Sequence, residues 1–348
     1  MYNIIGKRKI WFIISGTVIV LSIAALAVWG LKLSIDFTGG SLVELKFNAE
    51  RPSNQTVEQA LAGLNLPSLN VQPVDTAGLL IRTVSLTEDQ HQALLLEIEK
   101  IKNPQATGGI KVKPEALGIS GPGTENLQIT ATGQGAENLP VNFKATGSKY
   151  SSFEEIKFDS IGPILGQELK QKTIYAIIIV LIAIIAYIGF AFRKVSYPVE
   201  SWKYGLAAII ALIHDVTIVP GVFAALGHFL NIQVDAYFVT ALLTLLGFSV
   251  HDTIVTFDRI RENLPRNQHK TFEEIINQSV NETLTRSLNT SFTAILVLAA
   301  VFLFGGVTTK YFVLALMLGV FVGTYSSIFI ASPLLLIFYR FKLKTKQL

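Results

Sequence analysis

The chain reads as a polytopic α-helical membrane protein. Six transmembrane helices are divided one plus five, and an exported α+β domain of ferredoxin-like layout follows the first. Three observations lead there. Apolar runs long enough to cross a bilayer recur along the chain. One long polar stretch, 32–172, separates the first run from the rest. Charge is scarce: of 348 residues 16% are charged and 50% hydrophobic, where soluble domains carry about 25% charged residues. That deficit excludes a disordered chain and argues against an ordinary soluble enzyme. The sequence has no Cys, which excludes a disulfide scaffold, a thiolate metal site and a cysteine nucleophile. The net charge of +4 suits loops on one side of a membrane and does not call for a nucleic-acid partner.

The first apolar run, 10–31, follows Lys7, Arg8 and Lys9. It outlasts the apolar core of a signal peptide, and no small-residue cleavage pattern closes it, so it is expected to remain as an uncleaved helix. Further runs lie at 174–192, 205–230, 236–257, 288–304 and 311–339. Each covers about 30 Å of hydrocarbon at 1.5 Å per residue. Lys and Arg cluster on one side: residues 7–9, then Arg193, Lys194 and Lys203, then Arg259, Arg261, Arg266 and Lys270, then Arg340 and the basic tail 341–348. The opposite short loops hold only Lys310. Both termini are therefore expected in the cytoplasm, and the domain 32–172 on the far side of the cytoplasmic membrane. The five-helix bundle is expected over 173–340.

Within the exported domain, 41–47 alternates apolar and polar residues as a half-buried strand does. Residues 54–64 have helical spacing, with Asn54 as candidate N-cap. Short strands are expected at 69–74 and 79–84. A second helix over 87–101 starts at Thr87 with Asp89 and Gln90. A closing strand is expected at 153–158. The order βαββαβ is the ferredoxin-like layout with helices on one face. The stretch 103–152, rich in Gly, Thr, Asn and Pro, is expected as a loop-rich insertion. Its Gly121, Gly123, Gly133 and Gly135 are turn signals. The domain shows no metal cluster, phosphate loop or nucleophile–base pair, so binding or mechanics suits it better than catalysis.

Ionisable groups within the apolar runs carry the functional signal. A charge at mid-bilayer costs about 2.5–3.5 kcal/mol on the most lenient scale, so it calls for a partner or a task. Asp215 falls in the middle of the third run. Asp252 falls about two turns before the cytoplasmic end of the fourth, in a segment made polar by Ser249, Thr253 and Thr256. Arg286 stands at the cytoplasmic start of the fifth. The fourth and fifth runs are antiparallel, which can bring Asp252 and Arg286 to similar depth. A carboxylate alternating between an arginine and a water path has two very different proton affinities, which a proton carrier requires. The plainer readings are an Arg286 that snorkels to the interface and an Asp215 that only holds helices together. His214 and His251 lie one residue round the helix from the carboxylates, where a bond to a backbone carbonyl suffices for them. Asp258, Arg259, Arg261 and Glu262 read as a solvated anchoring cluster, with an interfacial helix over 272–283.

Five motifs in order resemble the SecF branch of the SecD/SecF family. They are Asp36-Phe-Thr-Gly39-Gly40 after the first span, Gly162-Pro-x-x-Gly166-Gln-Glu168-Leu before the second, and Ala211-Leu-Ile-His-Asp215 in the third. The fourth span carries Gly247-Phe-Ser-Val-His-Asp252-Thr-Ile-Val-Thr-Phe-Asp258-Arg-Ile-Arg-Glu-Asn263. The fifth carries Thr285-Arg286-Ser-Leu-Asn-Thr-Ser-Phe292, followed by Phe304-Gly-Gly306. The resemblance implies an RND-like bundle, a complex with SecD, association with the SecYEG translocon, and use of the proton gradient to move exported preproteins. It implies proton transfer at Asp252 and Arg286, with Asp215 beside them, and no cofactor beyond the proton. Asp36, Gly39 and Gly40 are expected as one mechanical joint into the exported domain, and Gly162, Gly166 and Glu168 as the second. Two other readings stay open: a proton-coupled exporter of small molecules or lipids, and a translocon scaffold without energy coupling.

Overall fold

The computed structural model describes residues 2–74, 76–103, 152–191 and 199–346. Nearly all of the insertion expected at 103–152, with its glycine motifs, lies outside the described residues, as do Arg193 and Lys194. The chain forms two compact units: Met1–Phe37 with Gln167–Leu348, and Thr38–Gly166. The second lies within the expected 32–172.

Helix α1 (Arg8–Val28) and the short α2 (Ile35–Thr38) lead to the smaller unit. Its elements are β1 (Gly40–Phe47), α3 (Asn54–Leu61), β2 (Asn70–Val74), β3 (Gly78–Thr83), α4 (Glu88–Lys102) and β4 (Phe153–Ile161). The sheet order is β2-β3-β1-β4 and every pairing is antiparallel, as the ferredoxin-like layout requires. Alternation in β1 turns Val43, Leu45 and Phe47 onto the helices, where they join Leu79, Ile81, Val57, Leu61, Leu94 and Ile98 in one core. β4 runs past the expected 158 to Ile161. Its register slips between Glu44 and Leu45, leaving Ile156 unopposed as a bulge. The bulge faces Glu155 and Phe158 toward α4: His91 Nε2 lies 2.9 Å from Glu155, and its ring stacks on Phe158 at 3.7 Å. Thr87 and Gln90 close a full capping box on α4. The N-cap of α3 is Ser53, not the expected Asn54. Asn54 turns its amide to the carbonyl of Val71 instead.

The larger unit continues with α5 (Pro163–Ala191), α6 (Ser201–Leu230), α7 (Ala236–Arg266), α8 (Phe272–Phe304), α9 (Val307–Ser326), a π-helical turn (Ser327–Ala331) and α10 (Ser332–Lys346). Counting α9 to α10 as one rod, six helices among the described residues are long and apolar enough to span a membrane. α6, α7 and the last rod hold the interior, while α5 and α8 are mostly exposed along their apolar windows. The interfacial helix expected at 272–283 is not a separate element. Thr271 and Glu274 form a capping box, and no Gly or Pro interrupts the run to Phe304, so the polar turns continue into the span.

Small residues set the helix spacing. A Cβ on Gly221 of α6 would fall 2.3 Å from Ser22 Cβ of α1. Gly319 and Gly323 of α9, four apart, lie against Leu245 and Ser249 of α7, where an added Cβ would stand 3.0–3.1 Å from side-chain atoms. The chain start straps onto α8: Asn277 and Asn281 bond the backbone at Tyr2, Ile4 and Ile5. Arg8 and Arg340 both pair with Glu273, at 3.0 and 2.7 Å.

Candidate functional site

The bundle interior is built around two carboxylates. Asp215 sits at the middle of α6, fully buried. Its Oδ1 lies 2.8 Å from His214 Nδ1. Its Oδ2 accepts Ser249 Oγ from α7 at 2.5 Å and Ser326 Oγ from the last rod at 2.7 Å. Neighbouring residues on a helix diverge by 100°, so His214 was expected to turn to a backbone carbonyl. Instead its imidazole folds back onto the adjacent carboxylate and stacks on Tyr325. The Tyr325 hydroxyl meets Ser15 Oγ at 3.0 Å and donates to the Trp11 carbonyl of α1 at 3.3 Å. Asp215 therefore ties three helices directly and a fourth through two rings.

Asp252 is arranged differently. Ser249, Asp252, Thr253 and Thr256 recur at helical spacing and form a buried polar stripe on α7. Asp252 Oδ1 accepts Ser287 Oγ from α8 at 2.6 Å. Its Oδ2 is buried without a hydrogen-bond partner among the described residues. A buried polar atom left unpaired is uncommon in folded proteins and calls for a physical reason. His251, one residue round the helix, is exposed.

The π-helical turn positions the donors. Ser326 and Ser327 stand at its start, about 100° apart on the helix. Ser326 reaches Asp215, while Ser327 meets Thr253 Oγ1 at 2.8 Å. Ser332 closes the widened turn by bonding the Ser327 carbonyl five residues back. Such turns inside a helix often accompany function. A further hydroxyl pair, Ser291 with Thr324, joins α8 to α9. Sequence reading singled out Ser249 and Thr253 and carried Ser287 and Ser291 only within the 285–292 motif; Thr324, Ser326 and Ser327 it did not single out. Their only signal is a hydroxyl recurring every three or four residues in an apolar run.

Arg286 does come to the level of Asp252, but its neighbour Ser287 makes the contact. Arg286 is exposed and forms no ion pair within 4.0 Å among the described residues. It lines a cleft of about 320 Å³ with Val255, Asp258, Arg259, Glu262, Glu282 and Thr283. The charges expected to form an anchoring cluster are paired: Asp258 with Arg261, and Arg259 with both Glu262 and Glu282.

The two glycine motifs lie where the units divide. Gly39 and Gly40 have φ of +73° and +134°, backbone that favours glycine. A Cβ on Gly39 would stand 2.7 Å from Pro163 Cα, so the strands entering and leaving the smaller unit touch. Gly40 pairs with Ile161, and the Gly166 N–H bonds the Gly162 carbonyl in the first turn of α5. Asp36 has a role that the joint reading did not include. Its Oδ2 accepts the Ala236 N–H at 2.8 Å, capping α7 beside Asp235, which accepts the Phe238 N–H at 2.9 Å. Leu33 forms a parallel bridge with Val234. The segment after α1 is thereby fastened to the helix that carries Asp252. Glu168 is exposed, and its partner is Lys172 at 2.7 Å.

Comparison with known proteins decides the family. The model of the C-terminal region of the protein export membrane proteins SecD and SecF matches residues 142–341, and that of the SecD/SecF GG motif matches 24–50. The chain belongs to the SecD/SecF family. Asp215, Asp252 and Arg286 fall within the first match, and Asp36, Gly39 and Gly40 within the second. The chain is 39% identical to the protein translocase subunit SecF of Thermobaculum terrenum, over 96% of this chain and 93% of that one. It is 35% identical to SecF of Anaerolinea thermophila, over 97% and 94%. Its structure resembles that of SecDF, a translocon-associated membrane protein from Thermus thermophilus, with TM-score 0.71 and 27% identity. That match covers 97% of this chain and 38% of the longer SecDF chain.

Proposed function

We propose that this chain is the SecF-type subunit of a complex with a SecD partner, which uses the proton gradient to promote translocation of preproteins at the SecYEG translocon. The membrane is the bacterial cytoplasmic membrane, with both chain termini inside. Asp252 takes up and releases the coupled proton. The observation that carries this reading is its buried Oδ2, which has no hydrogen-bond partner within 3.5 Å among the described residues. A charged group in the bilayer interior is costly unless it is paired or neutralised, and a proton on Oδ2 neutralises this one. Asp215, with three donors on its two oxygens, serves as the anchor against which α7 and the last rod are held. The tie from Asp36 to the start of α7 gives movement of that helix a route to the glycine joint and so to the exported unit. Moving one charge across the membrane is worth about 2.3 kcal/mol per 100 mV, enough for several protons to bias a domain motion.

The test is preprotein translocation into inverted vesicles that hold this chain, its SecD partner and the translocon, with and without an imposed proton gradient. Asp252→Asn is expected to assemble normally and lose the response to the gradient. An Asp252→Asn complex that responds like the wild type favours a scaffold and overturns the proton reading.

A further inference from the structure

Arg286 stands between two acids and pairs with neither. Ser287, the next residue on α8, donates to Asp252 at 2.6 Å, which places Arg286 about 1.5 Å along the axis from that contact. Glu282 lies four residues earlier on α8, about 6 Å along the axis and on the same face. An acid four residues ahead of a base is the favourable order for an ion pair on a helix. Glu282 is instead occupied by Arg259 Nε at 2.5 Å, Asn263 Nδ2 at 2.7 Å and Gln278 Nε2 at 2.8 Å. Arg259, Glu282 and Arg286 line the same 320 Å³ cleft. Its wall at Val255 is one turn beyond Asp252 and its wall at Thr283 one turn before Ser287. The cleft therefore gives the guanidinium room beside Glu282, within one helical turn of the buried Asp252.

We propose that Glu282 is the alternative partner of Arg286. It is a positioning residue that draws the guanidinium away from Asp252 while Asp252 holds a proton, and Arg259 sets the balance by competing for the same carboxylate. This rests on the reading of Asp252 as proton carrier. When Asp252 is neutral, Arg286 gains more from Glu282; when Asp252 gives its proton up, the guanidinium returns to it. The other charges facing the cleft are committed, Asp258 to Arg261 and Glu262 to Arg259. His251, next to Asp252 on α7, is exposed and its charge also acts on Asp252, but it does not line the cleft.

The experiment follows the Asp252 carboxyl by infrared titration of the whole complex in membranes, with Asp252→Asn assigning the band. Glu282→Gln leaves Arg286 nearer Asp252 and is expected to move the midpoint about one pH unit toward acid, roughly tenfold in proton affinity. Arg259→Gln frees Glu282 to hold Arg286 and moves the midpoint the opposite way. Glu282→Asp restores most of the wild-type value. In an Arg286→Gln background the Glu282→Gln shift disappears. A shift that persists there is only the field of the lost charge, and it overturns the proposal, as does no shift at all. A titration in which Asp252→Asn removes no band refutes the proton-carrier reading itself, and the proposal with it.

Discussion

Replacing Asp215 separates an anchor from a carrier. Asp215→Ala removes the acceptors facing His214, Ser249 and Ser326. Hydrogen bonds between membrane helices average about 0.6 kcal/mol each, so three amount to about 2 kcal/mol. A buried donor left unsatisfied costs more, about 1–3 kcal/mol; Ser326 keeps the Gly323 carbonyl as an acceptor, so the two donors of His214 and Ser249 set the expected destabilisation at about 2–6 kcal/mol. At 1.4 kcal/mol per tenfold, even the lower value changes the folded-to-unfolded ratio about 30-fold. Asp215→Asn is milder. Its carbonyl still accepts both serine hydroxyls and its amide faces His214 Nδ1, so the loss should stay under about 1 kcal/mol. Stability is measured by reversible unfolding of the complex in bicelles, and function by the gradient response in inverted vesicles. The Asn variant should keep both; the Ala variant should lose stability first. A stable Asn variant that no longer responds to the gradient would place a proton on Asp215 and refute its assignment as anchor.

Three further outcomes are expected. Gly323→Leu drives a side chain into Ser249 where α9 packs closely on α7, so it should lower stability by about 1–3 kcal/mol; a melting curve like the wild type's would contradict the packing. Asp36→Ala removes one cap from α7 and should cost about 0.5–2 kcal/mol, seen as faster amide hydrogen exchange at Ala236, whereas Asp36→Asn, which keeps an acceptor, should retain most of the protection. Burial raises the proton affinity of Glu44 above that of an ordinary glutamate, and Lys157 opposes this in part; the native unit then binds the proton more tightly than the unfolded chain, so this group's contribution is full at acid pH and declines as pH rises through its native value. Glu44→Gln should remove that decline from the pH dependence of hydrogen exchange in β1, and an unchanged profile would contradict it.

The sequence made the two buried acids visible because a carboxylate in an apolar run is costly and therefore rare. It hid their partners because a hydroxyl in the same run is cheap: Ser287, Ser326 and Ser327 resemble the many serines that bond their own helix. The smaller unit was legible in element order, since period-two alternation fixes which face of β1 is buried, but the bulge at Ile156 changes no pattern a reader can see. Polarity at 272–283 suggested a separate interfacial helix because hydropathy reports what surrounds a helix, not whether it continues. His214 was misplaced by angular reasoning alone, which neglects the reach of an imidazole that can turn back along its own backbone. Asp36 was read as part of a turn, because a contact with Ala236, 200 residues away, leaves no local trace.

The central claim is that Asp252 moves protons in step with preprotein. The most direct measurement follows a pH-sensitive dye and preprotein entry together in vesicles carrying the complete complex, for wild type and Asp252→Asn. The account predicts gradient loss that accelerates with preprotein in the wild type and is absent in the variant. Equal preprotein-dependent proton flow in both would contradict it.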